Sequence, residues 1–227
     1  MYSSYNWETK RKQLALVKAQ YEAQMARTGA KMPVIVDAAI RLECAMAANQ
    51  QQFTFNVGVG SGTTFNTEQR LALNDGFSIF EIGIFVAKPA SSTSTIFKLY
   101  SYPNANVFST SNVATSLDGF YNNGVLNISK DQVHYLDNYP VLNHRFVPVV
   151  QDGLTGGYTT SGATAPNGLD SFDGKDDAFA PLASYINITG RDTLNINISL
   201  PAGLAAVESN QRAVLIFRGY KAYNVAR

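Results

Sequence analysis

The stretch Leu194-Asn195-Ile196-Asn197-Ile198-Ser199-Leu200 sets the fold class. Four aliphatic residues alternate with three small polar ones. Successive side chains of a strand point to opposite faces, so the segment has one apolar face and one wet face. A helix would scatter the same residues around its axis. A strand of this kind belongs to an antiparallel sheet with water on one side, and a second layer must cover the other.

The same period recurs from Gln52 onward, where Val, Ile, Phe, Tyr and Thr dominate and Gly, Asn and Pro punctuate the chain. Strands are expected at Phe53 to Val59, Arg70 to Leu73, Phe77 to Ala87, Ile96 to Tyr102, Gly124 to Ser129 and Gln132 to Leu136. Four more are expected at Arg145 to Val150, Tyr185 to Thr189, Leu194 to Leu200 and Ala213 to Tyr223. Phe77 to Val86 and Val214 to Phe217 are nearly continuous in apolar residues, as in strands covered on both faces by a partner sheet, the N-terminal arm or a neighbouring subunit. Gln151 to Pro181, rich in Gly, Thr, Ser and Asp, reads as a long functional or contact-forming loop.

Upstream the period changes. Trp7 to Arg27 holds no Gly or Pro, and Leu14, Val17, Tyr21 and Met25 recur at three- and four-residue spacing, which predicts an amphipathic helix. Gly29 supplies a stop and Pro33 a new start, with Ile35, Ala38, Ala39, Leu42 and Met46 as a second apolar stripe. The expected organisation is a helical arm over residues 1–50, as a helical pair or bent helix, and a β-sandwich over 51–227.

Composition narrows the class. The 227 residues are 45% hydrophobic but only 15% charged, which excludes a disordered chain and implies little free charged surface. Cys44 is the single cysteine, so the chain is not a disulfide scaffold. The net charge of +1 gives no global signal for nucleic acid or an anionic membrane. Residues 1–50 are mildly basic, with Lys10, Arg11, Lys12 and Lys18 as the candidate genome or membrane contact; a solvated helix face is the plainer reading. The start of the chain lacks a signal-peptide-like apolar run and no apolar stretch reaches spanning length, so secretion and a membrane-spanning helix are not expected.

No catalytic pattern emerges. Gly58-Val59-Gly60-Ser61-Gly62 lacks the spacing of a dinucleotide or triphosphate loop and reads as a connection. Asp170, Asp173, Asp176 and Asp177 could offer oxygens to Ca²⁺, but their spacing is not that of an EF-hand and Lys175 sits among them. His134 and His144 lack companions for a metal or acid–base set and read as surface or interface residues. Asn127-Ile128-Ser129, Asn187-Ile188-Thr189 and Asn197-Ile198-Ser199 match the glycosylation acceptor pattern but fall within expected strands, as wet-face residues. No enzyme activity, metal or cofactor is expected.

Certain phrases carry a resemblance. Asn74-Asp75-Gly76-Phe77 followed by Ile82-Gly83-Ile84-Phe85, Leu99-Tyr100-Ser101-Tyr102-Pro103-Asn104, Tyr121-Asn122-Asn123-Gly124-Val125-Leu126 and Ile216-Phe217-Arg218-Gly219 look like capsid proteins of tailless bacteriophages. Together with the arm, the chain resembles a jelly-roll major capsid protein of a small icosahedral phage. The resemblance implies an all-β, antiparallel jelly-roll sandwich with an N-terminal α-helical arm. A single roll is favoured over a double roll, since about sixteen strands would fit after Gln52 only with unusually short loops. It further implies a virion protein, assembled in the host cytoplasm into trimeric or pentameric capsomers by self-association. Other virion proteins would be partners, and the arm would reach the genome or an internal membrane. Leu14, Val17, Tyr21 and Met25 are the expected assembly residues, docking on a neighbour or beneath the shell. The competing class is a receptor- or carbohydrate-binding sandwich of a virion spike or fibre, using the long loop with Tyr158 and Phe172. A cupin-like enzyme would need two or three histidines near a carboxylate, and only two histidines are present.

Overall fold

A computed structural model describes residues 4–29, 31–58, 65–104, 107–147 and 178–225. In chain order these form helix α1 (Ser4–Thr28) and strands β1 (Val34–Ala45), β2 (Gln52–Phe55), β3 (Gly76–Ala87) and β4 (Leu99–Tyr100). Helix α2 (Val113–Asn123), strands β5 (Val125–Lys130) and β6 (Val133–Pro140) and a 3-10 turn (Val141–His144) follow. Strands β7 (Phe179–Thr189), β8 (Leu194–Ser199) and β9 (Arg212–Tyr223) complete the order.

The pairing is that of one long antiparallel ribbon folded at its middle. β5 pairs with β6, β3 with β7, β2 with β8 and β1 with β9. The fold-back is a two-residue turn, Asp131-Gln132, with both residues at positive φ (49° and 69°), the handedness that matches the twist of a hairpin. The ribbon then closes on itself, β3 pairing also with β9 and β5 with β8. Two antiparallel sheets result: β1-β9-β3, with β4 and β7 sharing the far side of β3, and β2-β8-β5-β6.

The core lies between them. The alternation over residues 194–200 is realised in β8, where Ile196 and Ile198 are fully buried and Asn195 is exposed. Phe53, Phe55, Leu126 and Ile128 join them from one sheet, and Ile40, Leu42, Ile84, Leu215 and Phe217 from the other. Strand β3 faces the core through Phe77 and Ile79, then through Ile82, Ile84 and Val86, because a bulge between Ile79 and Glu81 shifts the period. Phe80 and Phe85 therefore point away from the core into two outer clusters, so this strand is covered on both faces, as its continuous apolar run implies.

Several expectations are corrected. Residues 34–45 are strand, not a second helix: Ile40 and Leu42, two apart, enter the core, and all twelve residues pair with β9 in unbroken register. β-Branched Val34, Ile35, Val36 and Ile40 suit that pleated surface, and the sheet overrides the helical spacing of the alanines and leucine. Arg70 to Leu73 makes only a single bridge, Leu71 to Gly58, beside the Gln69 bridge to Arg41, and Ile96 to Tyr102 contributes only β4. Residues 145–147 are not strand, and 148–150 lie outside the described residues. Helix α2 was not foreseen, although Val113, Leu117, Phe120 and Tyr121 are spaced to bury one face, and all four are fully buried.

Two glycines test the packing. A Cβ on Gly219 would lie 1.8 Å from the Ser78 carbonyl oxygen, so β9 approaches β3 more closely than any side chain permits. Gly119, inside α2, has nothing within 4 Å. Gly219→Ala should cost about 3 kcal/mol, whereas Gly119→Ala should gain roughly 0.5–1 kcal/mol, both read from denaturant unfolding midpoints.

Candidate assembly surface

The stripe of α1 lies on its own sheet. Val17 is fully buried and Tyr21 is 7% exposed, both packed on Phe80, Tyr220 and Ala222, with Leu14 half-buried beside them. Phe80 is itself held by Tyr185, stacked with ring centroids 5.1 Å apart, and by Tyr220, edge-on at 5.8 Å. Polar contacts fix the helix in place. The Tyr220 hydroxyl donates to the Lys10 carbonyl (2.8 Å), and the Asn187 amide donates to the Gln20 side chain (2.8 Å) while accepting from Ser78 Oγ (2.6 Å). Burial pushes the Tyr21 phenol up to about 12. Gly76 gives that hydroxyl its room, since a Cβ there would lie 2.6 Å from it.

Met25, the last stripe residue, borders an open groove of about 510 Å³ with Tyr21, Met32, Val34, Tyr223 and Val225. Met32, Val34 and Tyr223 are among the exposed large apolar side chains. The sequence reading put the stripe on a neighbour or beneath a shell; within the chain, Val17 and Tyr21 cover β3 and β9.

The four basic side chains, Lys10, Arg11, Lys12 and Lys18, are exposed to solvent, and Lys12 pairs with Glu8 one helical turn away (3.1 Å). Such exposed pairs stabilise little, so the cations keep their hydrated, salt-responsive character. Lys10 also borders a small cleft with Asp37, Glu81, Arg218 and Tyr220. Burial, then Asp37 and Glu81, raise the Tyr220 phenol above its ordinary range.

A buried ionic cluster at the other end of β1 was invisible in the sequence, because its members lie far apart in the chain. Arg212, 1% exposed, donates to Glu43 (2.8 Å) and to the Ser92 carbonyl (2.6 Å), and its guanidinium lies over the Phe65 ring at 4.1 Å. Glu43 also accepts from Arg41 Nε (2.8 Å) and from the Thr67 hydroxyl. Glu68 accepts from the backbone N–H groups of Glu43 (3.0 Å) and Phe65 (2.8 Å) and pairs with Arg70 (3.1 Å). A buried charge left unpaired costs several kcal/mol, so the cluster binds the segment around Phe65 to Leu71 onto the end of β1 and the start of β9.

The remaining candidates separate. His134 is exposed, but His144 is fully buried, which corrects its surface reading. It ends the 3-10 turn that leaves β6, with its ring 5.7 Å from that of Tyr139 and, among the described residues, no well-formed hydrogen bond to either ring nitrogen. Cys44 is half-buried, and burial raises its thiol pKa. Asn127 spends its side chain on Asn197, Ser199 and the Asn138 N–H, as a wet-face strand residue would. Asp170, Asp173, Asp176, Asp177, Tyr158, Phe172 and all of the Gly58 to Gly62 run but Gly58 lie outside the described residues. Among the described residues no three His, Cys, Asp or Glu side chains gather as metal ligands, and no helix is long and apolar enough to cross a membrane.

Glu208 ties two loops together. Burial alone would raise its pKa, but bonds from the Thr110 N–H (3.0 Å) and hydroxyl (2.8 Å) and the Lys88 ammonium (3.2 Å) outweigh burial and lower it. No family model, curated protein or solved structure matches this chain.

Two outcomes follow from these contacts. Tyr21→Ala should destabilise the folded chain by about 2–4 kcal/mol while leaving β-type circular dichroism intact, as measured by urea unfolding. His144 responds to acid: burial lowers its pKa from 6.5 to about 4, with the Ile82 backbone opposing the shift. Between those values the unfolded chain binds the extra proton, so stability is full above pH 6.5 and falls as pH drops, by up to about 3 kcal/mol at pH 4. Unfolding midpoints of His144→Leu should lose that slope between pH 6.5 and 4, and His134→Leu should retain it.

Proposed function

We propose that the chain is a structural virion protein, a single jelly-roll capsid subunit of a tailless icosahedral bacteriophage that self-assembles through repeated symmetric interfaces. The observation that carries the reading is the strand order. Leaving β4 aside, β1-β9-β3-β7 opposes β2-β8-β5-β6, eight strands wound as a folded ribbon. That order is the one in which two Greek keys interlock in the jelly rolls of viral shells. The capsid-like phrases of the sequence sit on this frame: Gly76-Phe77 and Ile82 to Phe85 in β3, Leu99-Tyr100 in β4, Tyr121 to Leu126 across the α2–β5 junction, and Ile216 to Gly219 in β9.

The low charge content and the exposed Met32, Val34, Tyr135 and Tyr223 suit a chain that buries wide, weakly charged surfaces against copies of itself. Lys10, Arg11, Lys12 and Lys18 are all exposed on α1, where they would meet the genome or an anionic leaflet inside a shell. The reading needs no resident metal or cofactor. Negative-stain electron microscopy and light scattering of the purified chain test it: closed shells or capsomers are expected, and isolated subunits that bind glycans would transfer the chain to the spike or fibre class. Replacing the four basic residues by Ala in the full chain should weaken binding to single-stranded DNA or anionic vesicles and flatten its salt dependence. Equal, salt-independent binding would assign them to helix solvation.

A further inference from the structure

The two sheets have open edges at β1, β2, β4, β6 and β7, and most of these are shielded from pairing with another chain. β2 has four residues and β4 has two. β6 carries two register breaks against β5, exposes Asp137 and ends in Pro140. β7 holds Pro181 and breaks register opposite Ile79 to Glu81. Short strands, bulges, charges and prolines are the devices by which sheets avoid edge-to-edge association.

Over half its length β1 has only one of them, the exposed charge of Asp37. It runs for twelve residues in unbroken register with β9, without Pro, Gly or Lys. Its far half is covered: Arg41 exchanges backbone hydrogen bonds with Gln69 (2.8 and 3.2 Å), and the Glu43 N–H donates to Glu68. Since alternate residues of an antiparallel strand bond to the same side, the outward groups of the near half belong to Ile35, Asp37 and Ala39. None of these has a hydrogen-bond partner on that side among the described residues. The free segment, Val34 to Ile40, is strand-forming and carries one charge, Asp37. It continues into the exposed apolar side chains of Val34 and its register partner Tyr223, with Met32 alongside.

We infer that the near half of β1 is a docking edge for β1 of a second copy of this chain, the two strands pairing antiparallel to extend sheet β1-β9-β3 across a two-fold axis. Only an extended backbone satisfies such a row of donors and acceptors, and an isologous contact presents the same row from both sides. Strand pairing alone buries too little for a stable contact, and the adjoining Met32, Val34 and Tyr223 surface supplies the apolar remainder. Asp37 sets the register, because two aspartates directly opposite would repel and the pair must slip to avoid this. The inference rests on the self-assembly reading but can fail separately.

The test is Ala39→Pro, which deletes one outward N–H and leaves the ladder to β9 untouched. Analytical ultracentrifugation of the full chain should show that it weakens self-association roughly tenfold or more, with circular dichroism unchanged. Hydrogen exchange of wild-type peptides covering residues 34–40 should slow on association and stay fast in the variant. If Ala39→Pro proves unfolded, Ala39→Asp serves, since it keeps every backbone group and adds a charge near Asp37 of the second copy. A wild-type dimer protected at 34–40 that forms no shells upholds the edge and removes the capsid reading. Shells that form equally well from either variant, with 34–40 unprotected, overturn the edge and leave the capsid reading standing. A wild-type chain that stays monomeric at all concentrations overturns both.

Discussion

Strands β3 and β9 carry apolar side chains on both faces, and their pairing leaves room for nothing larger than hydrogen at Gly219. A two-sided strand pair needs two covers. The sheet β2-β8-β5-β6 provides one, and the other is divided between α1, through Val17 and Tyr21, and a second cluster in which Phe85, Phe179 and Val214 pack with Phe97 and Phe146. The position of the arm is therefore set by the centre of the sheet: Phe80, displaced outward by the β3 bulge, is the surface on which it must sit.

The parts of the fold that local pattern encodes were readable. Residues 194–200 announce a half-buried strand because its two faces differ, and α1 is announced by an unbroken run of helix formers. β1 was misread for a physical reason. Ile35, Ala38, Ala39, Leu42 and Met46 happen to follow a helical spacing, and what decides their state is β9, nearly the whole chain away. The same distance hid the cluster of Glu43, Glu68, Arg70 and Arg212, whose residue types look like ordinary surface charges until the sheet brings them together. His144 was misplaced because its burial is created by the turn after β6, and no neighbour in sequence records it.

The charged groups divide into two roles. Glu43, Glu68, Glu208 and their cations are spent on fastening loops to the ends of strands, and their hydrogen-bond partners are other parts of the same chain. Of Lys10, Arg11, Lys12 and Lys18 on α1, Lys12 pairs with Glu8, and all four side chains are exposed. Among the described residues Glu43, Asp75, Glu208 and Arg212 are the buried charged side chains, so part of an already low charge content is committed to the interior.

The folded ribbon also orders events in time. Its two-residue turn at Asp131-Gln132 brings β5 and β6 together across the shortest loop, whereas β1 and β9 must meet across almost the full chain. Closing long loops is slow and becomes less costly once the intervening segments are fixed, so pairing should advance from the turn toward the ends. β1 is then the last long strand to be laid down. The edge of the sheet that β1 forms therefore exists only once the rest of the sandwich is complete.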